Sequence, residues 1–198
     1  MDTSSTPGTS ISDSLSEAGR LLAWLRQTEE TEGTITAIGA RLAEILDAGG
    51  RLLTCGNGGS MCDAMHFAEE LSGQFRDPRP AVAALAISDP SYLTCVANDH
   101  GFERVFARGV EAWGTKGDAL VVFSTSGNSA NVIAAVDTAR ARGLYTIGLL
   151  GRDGGLLAAR CDASIVVPGI TSDRIQEIHI KIVHLLIEQI EFRLFNQR

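Results

Sequence analysis

The chain has 198 residues, 44% of them hydrophobic and 21% charged, with a net charge of −7, which fits one globular domain with a sizeable core. The acidic balance argues against nucleic acid as the main partner, because binding a phosphate backbone needs a basic face. No apolar run reaches the roughly 18 residues of a membrane span, and residues 1–5 lack the basic-then-apolar order of a secretory leader. Cys55, Cys62, Cys95 and Cys161 contain no C-x-x-C pair. Zinc ribbons and disulfide frameworks therefore lack support, and reduced, mostly buried thiols of a cytoplasmic protein are expected.

In chain order, residues 1–10, rich in Ser and Thr, read as a short disordered tail, and 11–198 as a single domain. Leu15, Ala18, Leu22 and Leu25 recur at helical spacing, as do Ile35, Ile38, Leu42, Ile45 and Leu46. Gly49 and Gly50 stop the second helix. A terminal pair of apolar helices of this kind often packs on another subunit. Beyond it the pattern becomes strand, loop, helix, repeated. Strands are predicted at 51–55, 82–87, 119–123, 145–150 and 164–167. Helices are predicted at 61–71, 91–96 with 103–113, 130–142 and 156–159. A long last helix runs from near Ser172, its predicted N-cap, to about residue 195. Alternating β and α with short apolar strands implies an α/β three-layer sandwich around a five-stranded parallel sheet.

Two loops stand out. Cys55-Gly56-Asn57-Gly58-Gly59-Ser60 and Ser124-Thr125-Ser126-Gly127-Asn128-Ser129 each follow an apolar run and open a helix. Bare backbone N–H groups and hydroxyls at a helix start are suited to holding phosphate. Ser60 is placed to cap the helix after the first loop, although that loop is also compatible with a plain tight turn. It is not G-x-G-x-x-G, and neither loop carries the lysine of a nucleotide-hydrolysing P-loop. In a flavodoxin-like strand order the first and third strands, which carry these loops, flank the point where ligands bind.

On the helix after the first loop, His66 and Glu70 are four apart and share a face. That spacing suits a metal site or acid/base work, though such a pair is more often a surface ion pair. Glu69 falls to the side, as a solvated charge would. On the last helix Gln176, His179 and His184 interrupt an apolar stripe, and buried polar groups need partners. Periodicity alone does not choose between the two histidines.

Taken together, Cys55 to Ser60, Asp63-Ala-Met-His66-Phe-Ala-Glu-Glu70-Leu, Val96-Ala-Asn98-Asp99, Ser124 to Ser129 and Asp173-Arg-Ile-Gln176-Glu-Ile-His179 through His184 resemble the phosphoheptose isomerases, sugar-isomerase (SIS) domain enzymes. These convert sedoheptulose 7-phosphate to D-glycero-D-manno-heptose 7-phosphate, the first step of activated heptose biosynthesis. The resemblance spans about Gly50 to the C-terminus. It implies a five-stranded parallel sheet and a homotetramer with active sites between subunits. Phosphate would meet Ser60, Ser124, Thr125, Ser126 and Ser129, and the sugar would meet Asn57, Gly58, Gly59, Asn98 and Asp99. Glu70 and His184 match the acid/base pair, and His66, Glu70, Gln176 and His184 match the ligands of one zinc per subunit. Glu70 and Gln176 also contact substrate. Met61 and Gln74 depart from the family pattern, with Arg76 two residues beyond Gln74. Other readings are a non-catalytic scaffold that binds a replication initiator protein, an isomerase of another ketose phosphate, and a sugar-phosphate sensor. No basic helix-turn-helix precedes the domain, which weighs against the sensor.

Overall fold

A computed structural model describes residues 10–27 and 29–196. Eight α-helices and five strands alternate along the described residues: α1 (Ile11–Gln27), α2 (Glu29–Asp47), β1 (Leu52–Gly56), α3 (Gly59–Ser72), β2 (Ala84–Ala86), α4 (Pro90–His100), α5 (Val105–Trp113), β3 (Ala119–Ser124), α6 (Ala130–Ala141), β4 (Tyr145–Gly151), α7 (Gly155–Ala158), β5 (Ala163–Val167) and α8 (Ser172–Glu191). A single π-helical turn, Phe192–Asn196, follows α8. All strands are parallel, in the order β2-β1-β3-β4-β5. That is the flavodoxin-like order expected from the sequence.

The sheet is buried on both faces, as a parallel sheet must be. One apolar cluster joins alternate strand residues such as Leu52, Val121 and Ile147 to α1, α2, α3 and α8. The other joins Leu53, Leu120 and Val122 to α4, α5, α6 and α7. This gives three layers. Register sets Gly56 of β1 opposite Phe123 of β3, so the two predicted phosphate loops leave adjacent strands side by side. A reciprocal amide pair locks them together: Asn57 Nδ2 donates to Asn131 Oδ1 and Asn131 Nδ2 to Asn57 Oδ1, both at 2.8 Å.

Several details differ from expectation. The tail expected over residues 1–10 lies, apart from Ser10, outside the described residues; Ser10 itself accepts from Asp13 N–H at 3.1 Å and so caps α1. On α1 the buried residues are Leu21 and Leu25. Leu15 and Leu22 are 67% and 42% exposed, because only a narrow side of this outer helix meets α2 and α8. Thr171, not Ser172, stands at the N-cap of α8, and Gly58, not Ser60, precedes α3; neither cap uses a side chain. Cys55 is buried and Cys161 half-buried, but Cys62 and Cys95 are exposed on helix surfaces. Burial pushes the Cys161 thiol up to about 12, and the neighbouring Asp162 adds to it.

Candidate active site

The site is built between two helices that lie side by side. α3 begins at the first glycine loop, and α8 begins beside the second, where Thr125 Oγ1 lies 3.0 Å from Ser172 Oγ. Near their starts, Gln176 Nε2 is 3.5 Å from Ser60 Oγ. The packing there is close: a methyl group on Gly59 would lie 2.5 Å from Gln176 Oε1 and would push that amide aside.

Six residues beyond Ser60, about 9 Å along the axis, His66 Nε2 stands 3.0 Å from His184 Nε2 and 3.3 Å from Glu70 Oε1. Burial, and then His66, holds the His184 imidazole below its ordinary value, which favours the neutral ring. His66 Nδ1 lies 3.4 Å from Glu69 Oε1. Glu69, exposed as expected, is thus also in reach of the ring's other nitrogen.

The structure decides between the two histidines of α8. His179 is fully buried and its Nε2 sits 3.0 Å from the Leu150 carbonyl, so that nitrogen must donate. Desolvation lowers its pKa to about 4. It is a neutral core residue that fastens α8 to β4, whereas His184 faces α3. A sequence signal for this existed: Ile175, Ile178, His179, Ile182, Val183, Leu186, Ile187 and Ile190 form one buried stripe, and His184 lies off it.

The second loop is organised from within. The buried Ser124 hydroxyl accepts from Gly127 N–H at 3.1 Å and lies 3.4 Å from Ser129 Oγ. Ser126 Oγ accepts from Asn128 N–H at 3.2 Å. Asn128, which sequence reasoning did not single out, ties the loop to the start of α7 through Leu156 N–H, 3.0 Å from its Oδ1. Asn98 and Asp99 lie elsewhere, exposed in the last turn of α4. There Asn98 Nδ2 donates to Asp99 Oδ1 at 2.7 Å, and neither residue bonds to the loops.

His66, Glu70 and His184 offer donor atoms all within 4.8 Å of one another. Zinc–nitrogen bonds of about 2.0–2.1 Å place neighbouring tetrahedral ligands about 3.3 Å apart, close to the 3.0 and 3.3 Å separations seen here. Two imidazoles, one of them held neutral, and a carboxylate are a fitting donor set for such a metal.

The profile of the SIS domain matches residues 16–151, and a phosphoheptose isomerase of Fusobacterium nucleatum is 52% identical over 93% of this chain and 95% of its own. The chain belongs to the phosphoheptose isomerase family of SIS-domain proteins. Solved structures agree. A phosphoheptose isomerase from Neisseria gonorrhoeae superposes with a TM-score of 0.84 at 40% identity, covering 91% of this chain and 96% of that one. One from Francisella tularensis superposes with a TM-score of 0.86 at 33% identity, covering 91% and 95%.

Asp63, also on α3, is buried without a partner for Oδ2, and desolvation raises its pKa to about 7. From about pH 4 to 7 the folded chain therefore keeps a proton that the unfolded chain releases, so this residue lowers stability progressively as pH rises and fully above 7. Asp63→Asn is expected to raise Tm at pH 8 and to lose that advantage near pH 4. A gain that grows toward acid pH in thermal melts contradicts the assignment.

Proposed function

We propose that this chain is an enzyme that isomerises sedoheptulose 7-phosphate to D-glycero-D-manno-heptose 7-phosphate through an enediolate. The observation that carries this reading is the placement of an imidazole–carboxylate cluster down the α3–α8 seam from two fused phosphate-type loops. An extended chain advances roughly 1.2 Å per bond. The roughly eight bonds from C1 to phosphorus of a seven-carbon sugar phosphate then reach about 10 Å, matching the helix rise from Ser60 to His66.

In this reading Ser60, Ser124, Thr125, Ser126 and Ser129 grip the phosphate end, and Asn57, Gly58 and Gly59 meet the sugar hydroxyls. The N-terminal ends of α3 and α8, which begin at the first loop and beside the second, add positive potential through their helix dipoles. Glu70 removes a proton from C1 and returns it to C2. His184 protonates the C2 oxygen and accepts the proton from the C1 hydroxyl, so the two groups end as they began. Such groups each supply about 10²–10⁴-fold, and the grip on the phosphate holds C1 and C2 near reactive geometry. A zinc ion held by His66, Glu70 and His184, with Gln176 as fourth ligand, would polarise the substrate oxygens. Gln176 also serves substrate, as do Asn98 and Asp99, which reach it within a homotetramer whose sites lie between subunits. The exposed Ile11, Leu15 and Leu22 of α1 supply an apolar surface for such assembly. Among the described residues no helix is long and apolar enough to cross a membrane, and we place the enzyme in the cytoplasm.

Incubating purified protein with sedoheptulose 7-phosphate and following the aldose anomeric protons by NMR tests the reading. Growth of the manno-heptose signals is expected. Turnover of other ketose phosphates with none of this one refutes it.

A further inference from the structure

After α3 the chain crosses to α8 and is pinned there. Phe75 stacks near His184, ring centroids 5.7 Å apart, and Arg76 pairs with Glu188 at 2.6 Å. Arg79 reaches furthest inward; its side chain is only 5% exposed. All three guanidinium nitrogens are engaged. Nε donates to Glu191 Oε1 at 2.7 Å, Nη2 to the Glu70 carbonyl at 2.6 Å, and Nη1 to the carbonyls of Leu71 at 2.7 Å and Pro80 at 3.1 Å.

A buried cation persists only when it is paired and fully hydrogen-bonded. This one occupies the C-terminal end of a helix, where unmatched carbonyls create negative potential. Its acceptors are the feature of interest: one is the backbone of Glu70 itself, and another is a carboxylate on α8, seven residues beyond His184. The carbonyl bonds suffice to cap α3. The arm to Glu191 adds nothing to that cap; what it sets is the spacing between the two helices.

We infer that Arg79 is a positioning residue of the isomerase, fixing the separation of Glu70 from His184 by tying the last turn of α3 to α8. It touches no substrate. Its effect is confined to the proton-transfer end of the site, because the phosphate loops stand at the opposite ends of both helices.

The inference rests on Glu70 and His184 as the acid/base pair, and the experiment separates the two ideas. Steady-state kinetics on sedoheptulose 7-phosphate are measured for the wild type, Arg79→Met, Glu191→Gln and Glu70→Gln. Misplacement of a reacting group by about 1 Å costs on the order of 10²-fold. Arg79→Met is therefore expected to lower kcat about 10–100-fold and Glu191→Gln about 3–10-fold, with KM within about twofold of wild type in both. Guanidinium ion at low millimolar concentration is expected to restore part of the kcat lost in Arg79→Ala, which leaves room for it. Wild-type kcat in a folded Arg79→Met or Glu191→Gln protein, or a raised KM at unchanged kcat, overturns the proposal. Where Arg79→Met does not fold, Glu191→Gln decides, since it leaves the carbonyl cap in place. An active Glu70→Gln protein strikes the acid/base assignment instead. An inactive one beside a fully active Glu191→Gln strikes the positioning role alone.

Discussion

Glu70→Gln is expected to lower kcat about 10³–10⁴-fold, the upper part of the range for a positioned proton-transfer group, with little change in Tm. The substitution keeps the shape and removes only the basicity. Glu70 Oε1 is 3.3 Å from His66 Nε2, a contact that a carboxamide retains, and its side chain is only 16% exposed, so no new cavity opens. Because Glu70 also belongs to the candidate metal triad, the assay is repeated with excess zinc. Activity restored by zinc would make Glu70 a ligand only, and activity lost at every zinc concentration supports the base. Proton exchange at C1 of the substrate, read by NMR in deuterium oxide, is expected to vanish in step with turnover.

Gly127→Ala is expected to raise KM at least tenfold. Gly127 has φ of +66°, a left-handed conformation that costs other residues about 1–2 kcal/mol. A methyl group there would also lie 1.9 Å from the Gly154 carbonyl oxygen and 2.7 Å from Gly155 N. Both are backbone atoms, so the 124–129 loop or the turn before α7 must move, at a further cost of about 1–3 kcal/mol. The loop that yields is the one whose amides and hydroxyls are assigned to phosphate. Thermal melts are expected to show the loss of stability, and kinetics to show KM rising more than kcat falls. An unchanged KM in the folded variant would remove this loop from the binding site.

Much of this arrangement was legible in the chain itself. The two glycine- and hydroxyl-rich loops, and the apolar runs before them, located strands β1 and β3, and the alternation of elements implied the parallel sheet. Those signals are local, set by backbone conformation and by burial on both faces. What stayed hidden depended on contacts between distant residues. His179 continues the apolar stripe of α8 and His184 lies off it, but only the Leu150 carbonyl against His179 turns that faint signal into an assignment. Ser60 looked like a cap because caps are read from short spacings, yet its hydroxyl faces Gln176, 116 residues away. Arg79 gave no signal, since its carboxylate partner lies 112 residues on and nothing about an Arg-Pro pair marks a helix anchor. The stripe on α1 located the helix but not its inner side: Leu15 and Leu22 have helical spacing and stay exposed, whereas Leu21, Trp24 and Leu25 pack on the apolar cluster.

His179 and His184 differ by five positions on one helix, and one is sealed against the sheet while the other meets α3. Each residue added to or removed from the stretch between Gln176 and His184 would swing everything downstream by about 100°, turning His184 away from Glu70 even though every side chain survived. Length variation within the middle of α8 is thus forbidden to a working member of this lineage.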